Sequence, residues 1–390
     1  MDILYGVVGE GMGHATRSRV ILEHLLARGH ALKVVVSGRA HKFLVDRFAG
    51  RERITFEEIH GLHLEYRGNA VGLVESFLAN LENAPLGLLR NIDAYRNVAE
   101  DRFRPQLVIS DFESWAFLYG VNHRLPVVSI DNMQVLARCK HDLEVTAFKS
   151  FQFRLAKIAV QLKLPGAYHY LVTSFFFPPV RKKRTTLVPP ILRPDVLAAQ
   201  REPGTHVLVY QTQANNEDLI PVLRALPHAF RVYGFGRDES LGNVTLRAFS
   251  EKGFVDDLRT ARAVIAGGGY SLMGEAVHLR VPMLSVPIDR QYEQGLNARY
   301  LEKLGYGAWA EALDAPAIER FLERTPEFDA ALARYPSQDN AKTFECVDEL
   351  VARVARGDPR PDVLDAPAMG KWEGPPPDTL DLDEDELTGG

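Results

Sequence analysis

Cysteine is scarce: Cys139 and Cys346 are the only two in 390 residues, far apart and in no CxxC or zinc spacing. That excludes a disulfide framework and a cysteine metal site, and free buried thiols in a reducing compartment are expected. No run reaches the about 18 apolar residues of a membrane span. The opening apolar run, Ile3 to Val8, lacks the charged lead and longer apolar stretch of a signal peptide. A cytoplasmic protein is expected. A basic excess is missing too. The formal charge is −5, but Glu373 to Gly390 holds seven acids and no base, so setting those seven aside leaves the rest near +2. A nearly neutral body gives no footing for nucleic acid.

What is present is ordinary globular material, 46% hydrophobic, 25% charged and 9% aromatic, at a length that suits two domains. Apolar runs alternate with helical patterns: Ile3–Val8, a helix from about Thr16 to Arg28, Ala31–Val36, then Gln106–Ser110, a helix around Trp115–His123 and Pro126–Ile130. This alternation predicts βαβ units on a mostly parallel sheet. Residues 188–204, rich in proline, read as a linker, after which the pattern restarts with His206–Tyr210, Phe230–Tyr233, Arg262–Ile265 and Met283–Val286. The expected fold class is α/β, two doubly wound Rossmann-like domains facing a cleft. The expected boundaries are a first domain at 1–187, a linker at 188–204, a second domain at 205–339, a crossover helix at 340–356 and a disordered acidic tail at 357–390.

Two glycine loops carry the chemistry. Gly267, Gly268 and Gly269 follow the run Ala263–Ile265 and open a helix, a place where backbone amides and a helix N-terminus meet an anion such as a phosphate or diphosphate. Beyond it stand Glu275, and then Glu293, Gln294 and Asn297, groups suited to sugar hydroxyls. The first loop, GEGMGHATRS, brings Gly11, Gly13 and His14 to the end of the first strand, with Arg17 one turn on as a candidate for a phosphate or a charged acceptor. The dinucleotide fingerprint needs glycine where His14 stands, and the second strand ends in Ser37, Gly38 and Arg39 without an acid, which argues against NAD. In a parallel sheet Asp111 of SDFE reaches the same edge as His14, where a carboxylate orients an imidazole that accepts a hydroxyl proton. Asp131 of SIDNMQ is a second candidate from that edge, with capping of the following turn as its alternative role.

In this order the pieces resemble the inverting nucleotide-sugar glycosyltransferases of the GT-B fold, the group that includes the peptidoglycan GlcNAc transferase and the UDP-glycosyltransferases of natural-product metabolism. The resemblance spans roughly residues 1–356 and is most specific at 266–298. It implies that Gly267, Gly268 and Gly269 hold the donor diphosphate, that Glu275 holds the ribose, and that Glu293 and Gln294, spaced before Asn297 and Ala298, bind the sugar. It also implies that the main chain near Phe254 and Val255 receives the base, with His14 as the acceptor-activating base and Asp111 as its support. Ser271 is assigned a phosphate contact from its place alone. The chain departs from the family in AGGGYS where plant enzymes have HCGWN, and in ATRS after His14 where many relatives have an apolar residue and proline.

The chemistry so implied is attack of an acceptor hydroxyl on the anomeric carbon, in one step with inversion, with a UDP-sugar as the donor that the resemblance implies. No cofactor and no metal are implied, and no DxD stands at a predicted strand end. The acceptor is a small molecule or a lipid-linked cell-envelope glycan, with peripheral membrane contact through 148–164 and 181–184, where basic residues mix with aromatic and aliphatic ones. Rival readings are a UDP-sugar epimerase of the same fold and a non-catalytic nucleotide-sugar-binding subunit.

Overall fold

The apolar runs form strands buried on both faces, and these assemble into two parallel sheets. The computed structural model describes residues 1–9, 11–61, 65–67, 70–72, 87, 89–99, 103–142, 144–146, 151–211, 218–288 and 291–373. The first half contains β1 (Asp2–Val7), α1 (Met12–Ala27), β2 (Ala31–Val36), α2 (Gly38–Arg47), β3 (Ile54–Glu58), a ribbon of β4 (Glu65–Arg67) and β5 (Ala70–Gly72), and α3 (89–99). It continues with β6 (Leu107–Asp111), α4 (Ser114–Asn122), β7 (Val127–Asp131), α5 (Val135–Arg138), α6 (Phe151–Lys163), β8 (His169–Thr173) and β9 (Thr185–Val188).

The second half contains α7 (Pro194–Ala198), β10 (Val207–Tyr210), α8 (Leu219–Arg224), β11 (Phe230–Tyr233), β12 (Glu239–Leu241), β13 (Val244–Arg247), α9 (Glu251–Thr260), β14 (Ala263–Ala266) and α10 (Tyr270–His278). It is completed by β15 (Met283–Ser285), α11 (Tyr292–Lys303), β16 (Gly307–Trp309), α12 (Ala315–Glu323) and α13 (Thr325–Leu332). The chain then returns through α14 (Ala341–Arg356) and β17 (Gly370–Lys371). Strand order is β17-β9-β8-β7-β6-β1-β2-β3 in the first sheet and β12-β13-β11-β10-β14-β15-β16 in the second, with only β17 and β12 antiparallel to their neighbours. The fold class is as expected: α/β, two doubly wound parallel sheets.

Three local outcomes differ from the sequence reading. First, α1 begins at Met12 rather than near Thr16, so His14 and Arg17 ride on the helix itself. Second, the proline-rich 188–204 stretch is ordered. Val188 closes β9, Pro194 opens α7, and Leu192 is held by Asn340 through two main-chain contacts of 2.9 and 2.8 Å. Third, the chain stays folded beyond Gly357, where disorder is expected from composition. Leu364 is 1% exposed, Arg184 N–H donates to Asp362 O, and Gly370–Lys371 pairs with β9. The acidic stretch 374–390 lies outside the described residues.

The last helix packs on the first half. Its apolar face, Cys346, Val347, Leu350 and Val351, joins the core around Ile3, Leu25 and Leu32, while Phe344 stacks on His24. Gly357, at φ 73°, ends it in the left-handed conformation that glycine adopts without strain. Among the described residues, no helix is long and apolar enough to cross a membrane.

Candidate active site

Strands β1 and β6 are parallel neighbours with Val7 opposite Asp111, so the first loop and Asp111 emerge at one edge. Gly9 packs against the Ser37 main chain, where a Cβ would meet the carbonyl oxygen at 2.2 Å, and Gly11 caps α1 at φ 84°. The chain turns sharply after Asp111: Phe112 has φ 54°, an uncommon conformation for a bulky residue. Glu113 then caps α4, accepting from the amides of Trp115 and Ala116 at 2.9 and 2.6 Å. Strain at Phe112, at the mouth of the site, is held by that cap and by the Ser110 hydroxyl, which donates to Glu113 O at 2.8 Å.

His14 and Asp111 meet, with Nδ1 2.8 Å from Oδ1. The ring is about one-fifth exposed and the carboxylate is buried. Nε2 has no hydrogen-bond partner among the described residues. Arg17 Nε donates to Asp111 Oδ2 at 2.9 Å, Nη2 donates to Oδ1, and the Ser18 hydroxyl donates to Oδ2 at 2.8 Å. The same Nη2 lies 2.8 Å from His14 Nδ1. Burial by itself raises a carboxyl pKa, but Arg17 and then His14 hold Asp111 far below the ordinary range. Burial and the Arg17 charge together lower the His14 pKa below its usual 6.5. Arg17, expected at a phosphate or acceptor, is thus committed to the carboxylate.

Asp131 is buried and caps its own turn, accepting from Gln134 N at 2.9 Å and from the Ser129 hydroxyl at 2.5 Å. Burial pushes its pKa up to about 6. The geometry shows the capping contacts that were the alternative for this residue.

The second glycine loop starts at the end of β14, and Gly269 caps α10. By helix geometry the first amides of α10 lack intrahelical acceptors, leaving donors that can face an anion. Gly268 is pressed on α11: a Cβ there would lie 2.4 Å from Gln294 Cβ, and its amide donates to Gln294 Oε1 at 3.1 Å. Gln294 Oε1 also accepts from Ile288 N at 3.1 Å, so this side chain braces the loop. Beside it, Asn297 Nδ2 donates to Glu293 Oε1 at 2.5 Å, and burial pushes the Glu293 pKa up to about 7.

Other expected positions are placed differently. Phe254 and Val255 lie inside α9, and the Phe254 amide donates to Ser250 O at 2.8 Å, so that amide is engaged in the helix. Glu275 is buried and forks with Arg193 of the linker, each oxygen 2.7 Å from a guanidinium nitrogen. In this state the carboxylate expected at the ribose faces that arginine. The Ser271 hydroxyl donates to Gly13 O at 3.2 Å, directly joining the two glycine loops.

Further residues close the gap between the halves. Thr173 donates to the buried Tyr270 hydroxyl at 2.5 Å, Asn297 Nδ2 reaches Asn132 Oδ1 at 3.4 Å, and Phe176 stacks on Tyr300 with centroids 3.9 Å apart. Sequence reasoning missed Ser18, Thr173, Tyr270 and Arg193. Ser18 had a signal, since it stands four residues after His14 on the same helix face. The basic run 181–184 is largely taken up: Arg184 is 7% exposed and Lys183 meets Asp362 at 3.4 Å. On α6, Ile158 and Leu162 are exposed; residues 147–150 lie outside the described residues.

Residues 1–326 match the profile of glycosyl transferase family 1. Among curated proteins, an uncharacterized glycosyltransferase of Methanosarcina acetivorans is 26% identical over 362 residues, covering 82% of this chain and 88% of that protein. Among solved structures, the glycotransferase of kitacinnamycin superposes with a TM-score of 0.63 at 18% identity, covering 90% of this chain and 98% of that one. UGT2 of Phytolacca americana, complexed with UDP-2fluoro-glucose and pterostilbene, superposes with a TM-score of 0.65 at 12% identity, covering 91% and 98%.

Proposed function

From its place in glycosyl transferase family 1, to which the chain belongs and which makes it a glycosyltransferase, we propose that it moves a sugar from a nucleotide-diphosphate donor to an acceptor hydroxyl with inversion. UDP is the proposed nucleotide, in keeping with the UDP-sugar bound by the Phytolacca structure of the same fold. The observation that carries the reading is His14, backed by a buried carboxylate at 2.8 Å, with Nε2 unengaged among the described residues and its loop in contact with the glycine loop of the other half. The first half, residues 1–187, takes the acceptor, and residues 205–339 take the donor.

In the step itself, Nε2 accepts the hydroxyl proton while the acceptor oxygen bonds to the anomeric carbon and the bond to the diphosphate oxygen breaks. Asp111 stabilises the imidazolium through Nδ1–H. Amides of Gly267, Gly269 and the start of α10 stabilise the departing diphosphate, while the Gly268 amide stays with Gln294. Glu293 meets the sugar hydroxyls, and Gln294 does so by giving up part of its hold on the loop. Glu275 meets the ribose by giving up part of its pairing with Arg193. Acceptors are small hydroxyl compounds or a lipid-linked glycan, with α6 as the surface nearest a membrane through Ile158 and Leu162.

The test is UDP release from UDP-glucose and UDP-N-acetylglucosamine, each offered with a phenol, a free hexose or a polyprenyl-diphosphate-linked sugar. A nucleotide that binds only the folded chain raises its melting temperature, so UDP, dTDP and GDP are compared by thermal shift. The expected result is a shift with UDP and acceptor-dependent UDP release that His14→Ala lowers by about 10²–10⁴-fold, with the UDP shift retained. Parental release by His14→Ala overturns the base assignment, and a shift with dTDP or GDP alone overturns the choice of UDP.

A further inference from the structure

His14 Nδ1 has two neighbours at the same distance, Asp111 Oδ1 and Arg17 Nη2, each 2.8 Å away. A histidine and aspartate pair needs only the first. Arg17 is 5% exposed and stands one turn after His14 on α1, so the helix fixes its reach. Its fork occupies both oxygens of Asp111, and Ser18 adds a third donor. The carboxylate is therefore matched by a permanent cation before the ring takes any proton.

We propose that Arg17 is a positioning residue for sugar transfer, fixing the Asp111 carboxylate against His14 Nδ1–H while its charge keeps the imidazole neutral and Nε2 open to accept a proton. This rests on the reading of His14 as the base.

The surrounding charges support the assignment. His14 faces Arg17 on its own helix, Asp111 from β6 and Lys163 from α6. Arg17 in turn faces Asp111, Asp131 from β7, Tyr270 from α10 and Glu293 from α11. Two cations act on a ring whose one contacting carboxylate is already neutralised. Burial and Arg17 accordingly lower the ring's proton affinity, the reverse of a dyad whose unmatched carboxylate raises it. Asp111, held ionised, can only accept, so a hydrogen bond between it and the ring puts the hydrogen on Nδ1 and leaves Nε2 open to accept. Arg17 Nη2 cannot donate to Nδ1 in that tautomer, so the close approach acts through charge.

The test uses the full chain without substrate, labelled with ¹⁵N-histidine, with His14 signals assigned by their loss in His14→Ala. In the parent, the expected ring is neutral at pH 7 with hydrogen on Nδ1. In Arg17→Gln the ring's proton affinity is expected to rise more than tenfold, because Asp111 then acts unopposed. Arg17→Lys, which keeps the charge but not the fork, is the second variant should Arg17→Gln not fold; there the ring stays neutral at pH 7 and UDP release falls through kcat more than through KM. A ring titration in Arg17→Gln within twofold of the parent overturns the proposal, as does parental kcat in Arg17→Lys. An inactive His14→Ala together with an unmoved ring in Arg17→Gln sinks the positioning role alone. Parental UDP release by His14→Ala sinks the base reading and the positioning role with it.

Discussion

Single side chains at this site carry opposing electrostatic demands, and Glu293 states them most clearly. Burial raises its carboxyl from the usual 4.5 to about 7, while Asn297 and Arg17 pull in the other direction. Between those two values the folded chain keeps a proton that the unfolded chain has lost. The unfolded state therefore binds fewer protons, and this group's contribution to stability declines as pH rises from 4.5 to about 7, levelling off above. Glu293→Gln retains an oxygen for the Asn297 amide but has nothing to titrate. Its melting temperature should exceed the parent's at pH 8, with the advantage shrinking toward pH 4.5; curves that run parallel across the range would contradict the assignment. The Arg193–Glu275 pair follows another rule. Both partners are buried and mutually satisfied, so the pair's net worth is small while loss of either member strands a charge at a cost of about 3–5 kcal/mol.

Elements position these groups through tight backbone approaches, and the second glycine loop gives a controlled comparison. At Gly268 a methyl group would overlap Gln294 Cβ at 2.4 Å and its main-chain oxygen at 2.7 Å, whereas at Gly269 nothing lies within 4 Å. Gly268→Ala should cost about 1–3 kcal/mol through overpacking and weaken the UDP thermal shift by separating the loop from α11. Gly269→Ala should leave the melting temperature nearly unchanged, and equal losses in both variants would rule out the steric account. How legible each element was follows from what stabilises it. Runs dominated by β-branched and aliphatic residues, such as Leu107–Ile109 and Val127–Ile130, announce buried parallel strands, and the shared edge of β1 and β6 made the meeting of His14 and Asp111 readable. By contrast, β12 is only Glu239–Leu241, with Glu239 and Ser240 exposed, and β17 is only Gly370–Lys371, so both exist because a neighbouring strand supplies hydrogen bonds. The Arg193–Glu275 fork joins residues 82 apart with no local signature. KGFVDDL was placed by family pattern alone, although Ser250 accepting from Gly253 N and Glu251 in the first turn mark a helix start.

In the whole molecule, the halves touch through Ser271 and Gly13, Tyr270 and Thr173, and Asn297 and Asn132, and the proposed placing of a donor between the loops requires these contacts to part. The chain crosses between halves twice, and the two crossings are tied where Asn340 clasps the Leu192 main chain. A chain ending at Asp339 loses that clasp and α14, baring the face formed by Ile3, Leu25 and Leu32. Its expected behaviour is a lower melting temperature and increased binding of a hydrophobic dye, while a chain ending at Glu373 melts like the full sequence. A parental melting temperature for the shorter chain would show that α14 is dispensable. The position of β17 has a further consequence for biosynthesis. The first sheet is the first to leave the ribosome, yet its edge at β9 is covered only when residues 370–371 arrive. At about 5–20 residues per second, translation of the intervening second half takes roughly 10–40 s. Throughout that interval the nascent chain presents an uncapped strand edge, open to pairing with another polypeptide.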